Sequence, residues 1–102
     1  MHLHLTASGP ELAEPDDCTT FSVVVDPELD TETVRALLAE YKAGTLTEDA
    51  KYVFVPPEAL RALAGGRTGA DWASRFEKML AYAATKGWIS ENGDVRGHID
   101  NG

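Results

Sequence analysis

Three histidines are the side chains of this sequence best suited to moving protons or holding a metal, because imidazole titrates near neutral pH and offers a nitrogen ligand. His2 and His4 stand two apart in the alternating stretch Met1-His2-Leu3-His4-Leu5, and on a strand that spacing puts both on one face. His98 shares a face of a second alternating stretch with Arg96 and Asp100. If the two terminal strands were neighbours, His2, His4, His98 and Asp100 would approach a zinc ligand set, since zinc accepts imidazole and carboxylate. The plainer expectation is a polar strand face with no metal. His98 is also the best single general acid or base, with Asp94, Arg96 or Asp100 to orient it. Tyr82 is its candidate partner, because it sits at the edge of an apolar helical stripe where its hydroxyl would reach a pocket or water. Together His98 and Tyr82 would serve a small cofactor-independent isomerase or cyclase with an aromatic pocket.

Other candidates carry less chemistry. Cys18 is the only cysteine and follows Asp16-Asp17; adjacent carboxylates disfavour the thiolate that a nucleophile needs. With one cysteine no internal disulfide forms, which fits a reducing cytoplasm. Gly65-Gly66-Arg67-Thr68-Gly69 lacks the Gly-Lys-Ser/Thr of a phosphate loop and the GxGxxG of a dinucleotide loop. An anion beside Arg67 at the following helix start is one reading; an ordinary helix–helix turn is the other. No cofactor is expected. Trp72, Phe76, Tyr82 and Trp88, with Tyr52 and Phe54, would line a pocket or simply fill a core.

These residues need elements to position them. Residues 2–7 and 21–25 have strand patterns, separated by an acidic, irregular stretch at 11–18, and would pair as a long-looped hairpin. Val34, Leu37, Leu38 and Tyr41 form one helical stripe, entered at Asp26-Pro27 or Asp30-Thr31 and stopped at Gly44. Lys51 to Val55 is a third strand with apolar groups on both faces. Glu58 to Ala64 is a short helix with Leu60, Leu63 and Ala64 inward, halted by Gly65-Gly66. Trp72, Phe76, Met79, Leu80 and Ala83 stripe a longer helix, capped by Asp71 or Thr68 and ended by Gly87. Asn92-Gly93 signals a two-residue hairpin turn, which would set Ile89 opposite Arg96 and lay the Trp88 ring over Gly97. Residues 100–102 are expected to fray.

Charge narrows the function classes. The net charge is −8, and it is uneven: residues 1–50 carry eleven acidic and two basic side chains, residues 51–102 six and seven. Nucleic-acid affinity rests on Lys and Arg neutralising phosphates, so no nucleic-acid partner is expected, and no anionic membrane. No apolar run approaches the roughly 18 residues of a membrane span. The start of the chain has no basic region leading into an apolar stretch, so no secretory signal is expected and a cytoplasmic location is.

The pattern Trp72…Phe76…Met79-Leu80…Tyr82-Ala83…Lys86-Gly87-Trp88-Ile89…Gly93…Val95-Arg96…His98-Ile99 resembles small uncharacterised proteins of high-GC bacteria. The resemblance covers about the last third of the chain and implies no assigned activity; it draws attention to Trp72, Trp88, Arg96 and His98. The order helix, strand, helix, helix, hairpin over residues 31–99 also resembles a winged-helix domain. That likeness would make 71–86 the recognition helix and 91–94 the wing tip, in a regulator binding protein rather than DNA.

The sequence therefore predicts one α+β domain over residues 1–102, with an antiparallel or mixed sheet of four to five strands and three helices packed mainly on one face. The expected function is a non-catalytic protein-interaction or accessory module, its partner a protein or a second copy paired through a strand edge at a terminus.

Overall fold

A computed structural model describes residues 1–66 and 68–100. Arg67 and its anion-site reading lie outside the described residues, as do residues 101 and 102 of the stretch expected to fray; Asp100, the first residue of that stretch, instead ends a strand and pairs with Val24. The class is α+β: six strands in one mixed sheet and three helices. The strands are β1 (His2–Thr6), β2 (Gly9–Ala13), β3 (Ser22–Val25), β4 (Thr45–Leu46), β5 (Tyr52–Val55) and β6 (Val95–Asp100). The helices are α1 (Thr31–Glu40), α2 (Pro57–Ala64) and α3 (Trp72–Thr85).

The sheet runs in the order β2-β1-β3-β6-β5-β4. Two strands escape the sequence pattern. β2 contains Gly9 and Pro10, residues depleted in strands, and is tolerated because it is an edge; β4 has only two residues. β2 also corrects the expected first hairpin. It pairs antiparallel on the outer side of β1, so the chain returns along 14–21 and enters β3 parallel to β1, with Leu3 beside Val23. β6 pairs parallel with β3 and antiparallel with β5. Both terminal strands are therefore interior, and neither offers the free edge expected for a second copy. A central β6 also corrects the winged-helix likeness, since its last strand is the middle of the sheet and not a wing.

Alternation sorts the sheet into two faces. Leu3, Leu5, Val23, Val25, Val53, Val55 and Val95 point inward and are buried. Val34, Leu37 and Leu38 of α1, Leu60 and Ala64 of α2, and Trp72, Phe76 and Ala83 of α3 are the buried residues of the helices. Phe76 is fully buried, stacked on Trp72 at 4.7 Å and covered by the Arg61 guanidinium at 5.1 Å. Arg61 also bridges Glu58 and Glu77, tying α2 to α3.

Local chemistry sets the helix ends. Asp30 accepts from the Thr33 N–H at 2.8 Å, the cap expected at Asp30-Thr31. The stop of α1 is not Gly44: Lys42 takes the left-handed conformation (φ 52°). Gly44 answers a different need, since a Cβ there would stand 2.5 Å from the Phe54 carbonyl oxygen. Tyr41, expected in the apolar stripe, is 49% exposed and reaches sideways to Ser8 and Gly9. The exit of α1 thus touches the β1–β2 turn on one side and β5 on the other.

Candidate functional site

His98 projects from the outer, helix-free face of the sheet, in register with Ser22 of β3 and Tyr52 of β5. Its ring meets Tyr52 edge-on at 5.6 Å, and Arg96 lies over the same Tyr52 ring at 4.4 Å. None of Asp94, Arg96 or Asp100 hydrogen-bonds it among the described residues. His2 and His4 share that outer face, but β3 separates them from β6. Each has a local partner: His2 Nδ1 lies 2.8 Å from Ser22 Oγ, and His4 Nε2 lies 2.7 Å from Asp26 Oδ1. Among the described residues no group of three or more His, Cys, Asp or Glu is placed to hold a metal ion. His2, His4, His98 and Asp100 are thus spread across the sheet and do not converge.

Tyr82 is elsewhere. It stands on the outward side of α3, 58% exposed, and meets Trp88 edge-to-face at 6.1 Å. The local sequence explains this pairing. At the end of α3 the Gly87 N–H bonds the Ala84 carbonyl and the Trp88 N–H bonds the Ala83 carbonyl, with Gly87 left-handed at φ 76°. This is the double-bonded glycine stop of a helix. It folds Trp88 back over the last turn, where Tyr82 lies. Lys86 completes the cluster with Nζ 5.5 Å from the Tyr82 ring centre.

The hairpin after Trp88 departs from expectation by one residue. Only Gly93 has positive φ, whereas a two-residue turn of the expected kind needs it at Asn92 as well. The chain makes a three-residue loop, with Ser90 bonded to Asp94 and Ile89 facing Val95. The shift carries Trp88 off Gly97. Phe21 takes that place: a Cβ on residue 97 would stand 2.8 Å from both the Phe21 ring and Val23. Trp88 is freed to 36% exposure.

An apolar groove runs beside this cluster, between α3 and segment 16–21. It consists of two depressions of about 400 and 340 Å³ that share Thr19, Met79 and Tyr82. One reaches Asp16, Cys18, Arg75 and Lys78; the other reaches Phe21, Trp88, Val95 and Arg96. His98 lines neither, so His98 and Tyr82 share no cleft there.

The groove wall is irregular chain, yet it is fixed. The Trp72 indole donates to the Pro15 carbonyl, Arg75 donates to Asp16, and the Gly69 N–H donates to the Asp16 carboxylate. Asp17 accepts from the Thr19 hydroxyl and N–H, and these bonds, the hydroxyl first, hold its carboxyl below the usual range. Asp71 forms no side-chain cap on α3; its carboxylate instead faces Arg75 Nε at 3.3 Å, the i, i+4 pair, without hydrogen-bond alignment. Burial pushes the Cys18 thiol up, and Asp16 and Asp17 add to this against Arg75, so the groove holds no activated thiolate.

Sequence pattern singled out Tyr82 and Trp88 but left Thr19-Thr20 unassigned between the irregular stretch 11–18 and the strand pattern 21–25. The one available signal was Phe21, an aromatic in phase with Val23 and Val25, which begins that strand pattern and stands just before β3. No family model, no curated protein and no solved structure matches this chain.

Proposed function

We propose that the protein is a non-catalytic interaction module of the cytoplasm, whose groove beside α3 receives an aliphatic or aromatic side chain of a partner protein. One observation carries this reading. Tyr82 and Trp88, two of the three large apolar side chains left exposed among the described residues, meet each other at the mouth of one apolar groove instead of standing singly. Scattered surface apolar residues need no explanation, whereas a contiguous patch marks an interaction site. Tyr and Trp are also the residues that most often anchor binding energy, because each buries much area for little lost rotamer freedom. The wall tied down by Trp72 and Arg75 favours binding further, since a preformed groove loses little entropy on docking. His98 lines neither of the two depressions that hold Tyr82, which favours binding over acid–base chemistry by the pair. The free thiol of Cys18 accords with a reducing compartment.

The test is a random-peptide display selection on the folded protein, repeated on Tyr82→Ala and Trp88→Ala. Both positions are exposed, so each variant keeps stability within about 1 kcal/mol. Enriched peptides with an apolar anchor should bind either variant at least about tenfold more weakly, the loss typical of an interface anchor. Peptides that bind the variants as well as the native protein, or a selection that enriches nothing, would remove the groove from consideration. A second copy as the occupant would show itself as a concentration-dependent mass that Tyr82→Ala abolishes.

A further inference from the structure

From the charge around this same groove we infer that its partner is a short acidic segment with an apolar anchor; the inference rests on the groove being the binding site. The chain carries 17 carboxylate side chains against nine Lys and Arg, so a cation on its surface has many possible partners. Arg61 and Arg75 take theirs, in bridges to Glu58, Glu77, Asp16 and Asp71. Among the described residues Arg35, Lys42, Lys51, Lys78, Lys86 and Arg96 lie in no salt bridge, and three of these meet at the groove: Lys78 and Arg96 line it and Lys86 lies against the Tyr82 ring at its mouth. Lys86 and Arg96 are instead laid over the rings of Tyr82 and Tyr52.

The backbone positions of the two lysines follow from the helix. Lys78 and Tyr82 of α3 and Lys86 at its C-cap recur every four residues, which sets the Cα atoms of the two lysines about 12 Å apart along the axis with Tyr82 between them. On the opposite wall the charges are already used. Asp16 is held by Arg75 and Gly69 N–H, and Asp17 by Thr19 and the Met1 nitrogen. The rim is therefore an apolar trough whose α3 side carries cations without a carboxylate partner, Lys78 and Lys86, on a molecule whose net charge is −8. A ligand whose anchor enters beside Met79 and whose carboxylates flank that anchor satisfies both features. A basic segment would leave Lys78 and Lys86 facing like charge, and such repulsion selects partners as strongly as attraction does.

The experiment uses three synthetic peptides of about twelve residues with the same central Phe and Leu anchors, flanked by glutamate, glutamine or lysine. Binding to the full chain is followed by fluorescence of the exposed Trp88 and by amide shifts of residues 16–21 and 75–88. The glutamate peptide should bind about tenfold more tightly than the glutamine peptide at low salt, and the gap should close as salt rises. In Lys78→Glu/Lys86→Glu the order should invert in favour of the lysine peptide, a rescue that loss of folding does not produce. Equal binding of all three peptides, or tighter binding of the lysine peptide to the native protein, would overturn the acidic partner and leave the groove standing. Absence of any shift at residues 16–21 and 75–88 with all three would overturn both.

Discussion

At the scale of single residues, the position that most constrains the site is Gly97. β6 crosses the middle of the sheet there, and the space a side chain would fill is taken by Phe21 and Val23 at 2.8 Å. An added methyl must displace a ring and a β-branched side chain that are themselves packed, and overpacking of this kind costs about 1–3 kcal/mol. Gly97→Ala should therefore lower the urea midpoint without changing the slope. Phe21→Ala should relieve part of that cost, so the double variant should be more stable than the sum of the two single changes. Additive losses would show that Phe21 does not cover Gly97. The need for an aromatic over this glycine was legible in the sequence, but the wrong ring was assigned. Trp88 lies close in sequence and Phe21 does not. A hairpin loop longer by one residue moves every cross-strand neighbour, and nothing local to Asn92-Gly93 distinguishes the two loops until backbone φ is known. His98 is a similar case. Alternation gave its face, while its neighbours Ser22 and Tyr52 come from strands far away in sequence.

At the scale of elements, the helices were legible because their signals are local. Stripe, cap and glycine stop lie within one segment, and Trp72, Phe76 and Ala83 are buried as the 3.6-residue period requires. β2 and β4 were not, because an edge strand holding Gly9 and Pro10 and a two-residue strand are specified by the neighbours they pair with. The same local chemistry sets an acid limit on stability. Asp17, Asp30 and Asp49 all have carboxyls held below the usual value, chiefly by the hydroxyls of Thr19, Thr33 and Thr47. A group lowered in the folded state stabilises above its unfolded pKa, near 4, and that contribution disappears as pH falls through the lower folded value. The thermal midpoint should thus be flat from pH 7 to about 5 and fall below about 4. Asp30→Asn keeps a capping side chain for α1 but no longer titrates. Its midpoint should change little at pH 7, and its acid decline should be shallower than that of the native protein. An unchanged acid decline would show that the α1 cap plays no part in it.

At the scale of the whole molecule, the order of strands decides how the chain can meet another protein. The sequence pattern located the terminal strands but not their neighbours: β2 outside β1 takes the N-terminal strand off the edge, and pairing with both β3 and β5 puts β6 inside the sheet. The two true edges are poor templates for pairing. β2 carries Pro10, which has no N–H to offer, and α1 and α2 both pack against it; β4 is two residues long. At the exit of α1, Tyr41 reaches the β1–β2 turn and Gly44 lies against Phe54 of β5. The fold thus disfavours edge-to-edge association, and under the proposed function a partner docks on the exposed pair Tyr82–Trp88. Light scattering should return the 11.0 kDa of one chain from low to high concentration. If a doubled mass appears at high concentration, it should vanish in Tyr82→Ala and in Trp88→Ala, because the contact would run through the groove. A doubled mass that survives both substitutions would mean that a strand edge pairs after all, and the covering of β2 and β4 would then have to open in solution.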